Sequence, residues 1–295
     1  MQAPLPFIIE KEGKLLLNEE VMSIIEKSTN PKFISFYGST RGGKSTTLNQ
    51  IISSNKESRS YVNKEPFKTG SAVTSVTSGC DIYGPIKFSE LKKKHPLSGQ
   101  NKSLKEDFDI FFCDTEGIDS LNDFNKSSIP GILIILQICT MSVFMVHKNC
   151  KEPDFKEICS LMQFSKILNK ELKVFPRVGV YISDMLPGDD VMDNEDNEEI
   201  DLDDYNAIKD MYKDCYKNSI DEQKKIILDK AQQRYPDLSF KAKDVEIIAG
   251  GPYINEKDPK RDLKLEFYWC SIHEIFDTFV KFYREEKKRK EKCRK

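Results

Sequence analysis

Short apolar runs alternate with longer stretches of helical periodicity along this chain, and their order suggests the architecture. Phe7-Ile-Ile and Leu15-Leu-Leu17 flank Gly13, which predicts a small hairpin. Asn18 is placed to cap a following helix with Val21, Met22, Ile24 and Ile25 on its inner side. Phe33 to Tyr37 reads as a strand that runs into a glycine loop, after which Leu48, Ile51 and Ile52 face inward from a helix beginning near Ser45. A polar segment, Ser53 to Thr69, leads to a hydroxyl-rich stretch from Ser71 to Gly79.

Cys80 to Phe88 then predicts a strand broken near Gly84-Pro85, and Phe108 to Cys113 another, ending in Asp114-Thr-Glu-Gly117. The apolar stretch Ile132 to Val146 is interrupted by Gln137, Thr140 and Ser142. It is too short to span a bilayer, so it reads as a buried helix leading into a strand. A helix from Lys151 to Leu172, a strand from Val174 to Ile182, a helix from Tyr205 to about Arg234 and a strand from Val245 to Ala249 follow. Asp262 begins the last helix, with Trp269 and the phenylalanines of that helix assigned to the core. Strands recurring between helices predict an α/β fold with a mainly parallel central sheet flanked by helices.

Composition changes little in that picture. With 38% hydrophobic residues, 32% charged residues and a net charge of -2, the 295-residue chain reads as an ordinary soluble protein with no general attraction to nucleic acid. Two segments depart from the average. Ten acidic residues and no basic one lie between Asp189 and Asp204, predicting a solvated insertion near 187–204. Nine Lys or Arg against three Glu lie between Lys281 and Lys295, which leaves open a solvated helix end, a peripheral membrane contact or the entry to a further region.

The expected division is one domain over residues 1–283, including the N-terminal hairpin and the acidic insertion, and a basic helix end over 284–295. Eight dispersed cysteines with no zinc-like spacing fit a reducing, cytoplasmic setting. The N-terminus has no secretory pattern. His95, His147 and His273 make no metal pattern along the chain and are read as structural or surface residues, and no basic-aromatic alternation suggests nucleic-acid binding.

The chemistry concentrates in Gly38-Ser-Thr-Arg-Gly-Gly-Lys-Ser45, a phosphate loop in its required strand-loop-helix context. Backbone N–H groups from Gly38 through Gly42 and Gly43, with Thr46 at the helix start, can converge on phosphates. Lys44 can reach the β and γ oxygens, and the Ser45 hydroxyl can ligate Mg2+. Asp114 stands where a carboxylate can hold that metal through water, and Gly117 leaves an N–H free for a γ-phosphate. The Asp-x-x-Gly pattern comes about 70 residues after the loop, which favours a triphosphate hydrolase. Thr77 is the candidate second hydroxyl on Mg2+, and Ser75 a candidate for positioning the attacking water. Arg41, inside the loop, is either a catalytic guanidinium for the departing phosphoryl group or a solvent-facing residue. Asp184 follows the strand where a base-reading residue is expected, and its carboxylate could accept from guanine N1–H and the 2-amino group. Asn255-Glu-Lys-Asp258 reads as a loop that could cap the base.

Taken together these motifs resemble the GTPase domain of the guanylate-binding protein and atlastin family of the dynamin superfamily. The resemblance runs over roughly residues 5 to 283. It is carried by Pro6-Phe-Ile-Ile-Glu10, the phosphate loop with arginine in its fourth position, Ser75-Val-Thr77, Asp114-Thr-Glu-Gly117 and Ser183-Asp184. It implies GTP and Mg2+ as ligands, hydrolysis to GDP with GMP as a further product in some members, and a nucleotide-dependent homodimer formed through the G domain. It also implies that Arg41 acts as a finger in cis, that Ser75 orients water, that Thr77 ligates Mg2+ and that Glu116 supports the water network. Asp184 would read the base, and the segment from Gly250 to about Lys260 would lie in the guanine cap. Three departures stand against it. Ser183 replaces the usual arginine beside Asp184, Gly42 replaces the usual threonine, and the sequence ends at Lys295 before any helical stalk or membrane span, which leaves open a fragment or a protein that does not use the stalk. A slow nucleotide-controlled binding module and an ATPase of the same fold therefore stay open.

Overall fold

In the computed structural model the described residues are 1, 3–11, 14–39, 42–53, 66–69, 80–115, 139–172, 177–185, 204–251 and 260–294. They form strands β1 (Leu5–Pro6), β2 (Ile8–Lys11), β3 (Lys14–Leu17), β4 (Lys32–Gly38), β5 (Cys80–Lys87), β6 (Asp109–Thr115), β7 (Met141–His147), β8 (Arg177–Ser183) and β9 (Val245–Ala249). The helices are α1 (Glu19–Glu26), α2 (Lys44–Ser53), α3 (Phe88–Lys94), α4 (Glu152–Leu172), α5 (Tyr205–Arg234) and α6 (Arg261–Arg294).

Seven strands make one sheet in the order β1-β5-β6-β4-β7-β8-β9, while β2 and β3 pair as the predicted hairpin. The contacts β6-β4-β7-β8-β9 are all parallel, and β1 and β5 add antiparallel pairings at one edge. This is the mainly parallel α/β architecture of a phosphate-loop NTPase.

Burial on both faces explains why the central strands read as nearly unbroken apolar runs. In β7, Met141, Val143 and Met145 join one core with Ile34 and Phe36 of β4 and the inward residues of α2, α3 and α6. Phe144 and Val146 point to a second core against α4 and α5, as the period-two alternation of a strand requires. A third cluster packs Phe7 and Val21 over Ile82, Phe111 and Cys113. Asn18 caps α1 by accepting from the Glu20 N–H at 3.0 Å.

Two expectations change. The strand beginning at Cys80 does not break at Gly84-Pro85; it continues to Lys87 because a register shift between Tyr83 and Ile86 absorbs the irregularity against β6. The histidines, separate along the chain, are not all separate in space. His95 Nδ1 lies 2.9 Å from His273 Nδ1, and His95 Nε2 lies 2.7 Å from the Ile51 carbonyl. Nε2–H therefore donates to Ile51, leaving Nδ1 to accept from His273. Burial pushes the His95 imidazole down to about 4. The role remains structural, since it ties the far end of α2 to α6. The basic C-terminal segment continues α6 as helix through Arg294.

Candidate functional site

The parallel strands β4, β7, β8 and β9, with β6, end on the same edge of the sheet, the edge where open α/β sheets bind ligands. On it the structure brings together Gly38 from β4, Asp114 from β6, Lys44 and Ser45 from the start of α2, and Asp184 just after β8. The end of β4 and the end of β8 are two strand intervals apart, about 10 Å at ordinary sheet spacing.

At the phosphate end the glycines are dictated by geometry. Gly38 has φ +137° and a Cβ there would meet the Met145 carbonyl oxygen at 2.5 Å; Gly43 has φ +81° and open space where a side chain would stand. The Gly42 N–H donates to Ser39 O at 3.2 Å, closing the turn before Gly43.

Lys44 begins α2 and is only 7% exposed, with Nζ donating to Ser39 O at 2.9 Å and to Gly38 O at 3.3 Å. Its ammonium is thus folded back over the loop it follows. Ser45 Oγ donates to Asp114 Oδ2 at 2.5 Å. Asp114 is fully buried in β6, one residue before the strand end, and its neighbour Thr115 donates from Oγ1 to Phe36 O at 2.9 Å. The first helical residues and two strand ends are therefore fastened as one unit.

A hydroxyl and a carboxylate in contact are hard oxygen donors suited to Mg2+, an ion usually held by one or two protein groups together with water and substrate phosphates. The donor set fits that ion.

The base end is built differently. Asp184 takes a left-handed conformation at φ +53°, and Lys148, just after β7, takes another at φ +64°. The Lys148 N–H donates to Ser183 O at 2.7 Å, and its ammonium stands 3.9 Å from Asp184 Oδ2. Ser183 turns its hydroxyl to the Val146 carbonyl at 3.1 Å, with His147 Nδ1 at 3.4 Å. The Gly250 N–H donates to Ile182 O at 2.7 Å, which brings the end of β9 against this corner.

Arg41, Ser75, Thr77, Glu116 and Gly117 lie outside the described residues, as do Asn255 to Asp258 and the acidic stretch 189–203. Two residues not singled out from the sequence contribute. Asn49 of α2 holds the Phe67 backbone in a reciprocal pair, Nδ2 to Phe67 O at 2.8 Å and Phe67 N to Oδ1 at 2.9 Å, so the polar segment after α2 is anchored at its far end. Lys148 is the other; it stands beside Asp184 only because β7 and β8 pair, an adjacency the sequence does not signal.

Strand order, loop and helix define the molecule as a phosphate-loop NTPase fold with its candidate site on the shared strand edge. No family model matches the chain, and no curated protein matches it. Among solved structures, a crystal structure of a dimerization-deficient mutant of Toc33 from Arabidopsis thaliana is similar at 14% identity, covering 87% of each chain, with a TM-score of 0.36. A likeness that loose carries no argument about function. Among the described residues no helix is long and apolar enough to cross a membrane.

Proposed function

We propose that the chain binds GTP with Mg2+ and hydrolyses it to GDP by in-line attack of water, as a G domain of the guanylate-binding protein and atlastin type. The observation that carries this reading is the Ser45–Asp114 contact at 2.5 Å beside the loop-embedded Lys44. It supports the reading because a hydroxyl, a carboxylate and an ammonium gathered at one strand edge are what a nucleotide hydrolase requires and a plain structural turn does not.

In this reading Lys44, Gly43 and the N–H groups at the head of α2 hold the phosphates. Ser45, Thr77 and Asp114 would hold the metal, which when bound would supply charge neutralisation to the phosphate groups. Ser75 and Glu116 orient the attacking water, and Gly117 meets the γ-phosphate. Arg41 stabilises the departing phosphoryl charge in cis. Asp184 accepts from the guanine edge, and dimerisation through the nucleotide face orders the loop that carries Arg41. The G domain spans residues 1–283, with the basic helix end from 284 onward.

Hydrolysis rate measured against enzyme concentration, with GTP and ATP in parallel, tests the proposal. Specific activity rising with concentration and a preference for GTP are expected. A flat profile would instead favour the slow binding module. Equal use of both nucleotides would favour the ATPase, a reading that gains from Ser183 having committed its hydroxyl to Val146 rather than to a base.

A further inference from the structure

Away from the strand edge, a cavity of about 380 Å3 opens between the segment Pro96–Lys102 and the first two turns of α5. We propose that this cleft is a second anion site, which takes a small soluble molecule bearing phosphate groups.

The spacing within α5 is the starting point. Tyr205, Lys209 and Lys213 are four residues apart, so they stand one above another on a single helix face, and all three line the cavity. Lys102 and Lys92 face them from the opposite wall, while Asp210 is the one carboxylate among the lining residues. Lys92 is already engaged with the carbonyls of Lys102 and Leu104, at 3.1 and 2.7 Å. Lys209 is not so engaged. It is only 8% exposed, and the carboxylate beside it, Glu274 Oε2, lies 3.9 Å from its ammonium, outside hydrogen-bond reach. Burial pushes the Glu274 carboxyl up while Lys209 draws it down.

The Tyr205 hydroxyl is also buried and has no hydrogen-bond partner. Buried donors are ordinarily satisfied, and a buried cation ordinarily has a bonded counter-ion. Lys209 and Lys213 on one face of α5, with Lys102 among the lining residues across from them, outnumber the single lining carboxylate Asp210, a set that matches an oxyanion presenting several acceptors at once.

The opposite wall is fixed in place. Ser98 N donates to Asp277 Oδ1 at 3.0 Å, Asn101 Nδ2 to the Asp277 carbonyl at 3.0 Å, and Arg284 Nη1 to Asn101 Oδ1 at 3.0 Å. The cleft is therefore held open by α6 and does not depend on side chains collapsing into it. Its volume suits a compact polyphosphorylated ring or sugar phosphate and is small for a macromolecule. The site does not rest on the nucleotide reading, because none of its residues belongs to the phosphate loop.

Calorimetric titration of the full chain with inositol 1,4,5-trisphosphate, alongside sedimentation with phosphatidylcholine vesicles containing phosphatidylinositol 4,5-bisphosphate, tests it. The soluble probe should bind, Lys209→Gln and Lys213→Gln should each weaken it about ten-fold, and Lys44→Ala should leave it unchanged. Lys213 is exposed, so its variant keeps the test valid if the Lys209 change disturbs folding. No binding by folded wild-type protein, or equal affinity in the Lys213 variant, would overturn the site. Loss with Lys44→Ala would return the anion to the phosphate loop, and binding to vesicles alone would reassign the lysines to a lipid surface.

Discussion

The two ends of the strand edge are held by different means. At the phosphate end, Lys44 and Asp114 are buried and Ser45 bonds directly to Asp114, so the groups are positioned by the interior of the protein. At the base end, the side chains of Lys148 and Asp184 are 60% and 22% exposed, 3.9 Å apart, and oriented by two left-handed backbone turns. An exposed ion pair at that distance contributes little on its own. Under the proposed function the phosphate end is thus preorganised for chemistry, while base selectivity would depend, among the described residues, on the backbone geometry that orients Asp184 and Lys148. Changes at the first should cost rate or binding outright; changes at the second should shift preference.

The largest effect is expected for Arg41→Ala. If its guanidinium neutralises the departing phosphoryl group, kcat should fall on the order of 1,000-fold under dimer-forming conditions while nucleotide affinity is kept. Unchanged turnover in single-turnover assays would remove the finger and leave the phosphate end with Lys44 as its main cation.

Next is the contact that fixes the far end of the helix leading away from the phosphate loop. The His95 imidazole is lowered to about 4 in the folded protein against about 6.5 unfolded, so the folded state binds fewer protons between those values. Its contribution is therefore present above about pH 6.5 and lost as pH falls toward 4, worth about 3 kcal/mol over that window. Protonation must occur beside His273 and Lys94, neither of which welcomes a further positive charge. Urea denaturation at pH 7.5 and pH 4.5 should show a steeper loss for the wild type than for His95→Gln. Parallel slopes would show that the histidine pair does not anchor α2.

Lys44→Ala follows, with triphosphate affinity expected to drop about 100-fold, the scale of a charge-assisted contact. Fluorescent-nucleotide titration reads it directly, and a loss below three-fold would mean that the loop backbone alone binds the phosphates.

Most of the fold could be read from the chain because burial writes itself into periodicity. The bounds Tyr205–Arg234 and Val245–Ala249 coincide with the predicted helix and strand. Gly38, Lys44, Ser45 and Asp114 were also legible, since phosphate loops need glycine, cation and hydroxyl at fixed spacing. What spacing could not carry were contacts made by the tertiary structure. His95 and His273 meet across 178 residues, and Gly84-Pro85 reads as a break until β6 is present to accommodate the shift. Lys148 was missed for a related reason: an exposed lysine after a strand has no signal until the neighbouring strand is known. Its left-handed turn is a property of that junction.

The base end gives the smaller effects. Asp184→Asn keeps the shape but removes the charge and one acceptor, so the ratio of GTP to ATP affinity should fall about ten-fold. An unchanged ratio in direct competition would exclude it from base reading. Lys148→Ala is the finest test, because it removes the ammonium beside Asp184 and leaves the backbone donor to Ser183 in place. With an exposed pair worth at most about 1 kcal/mol, GTP affinity should change by no more than about five-fold. A larger loss, with ATP affinity unaffected, would show that the lysine contacts the base itself, and the base end would then be as built for its ligand as the phosphate end.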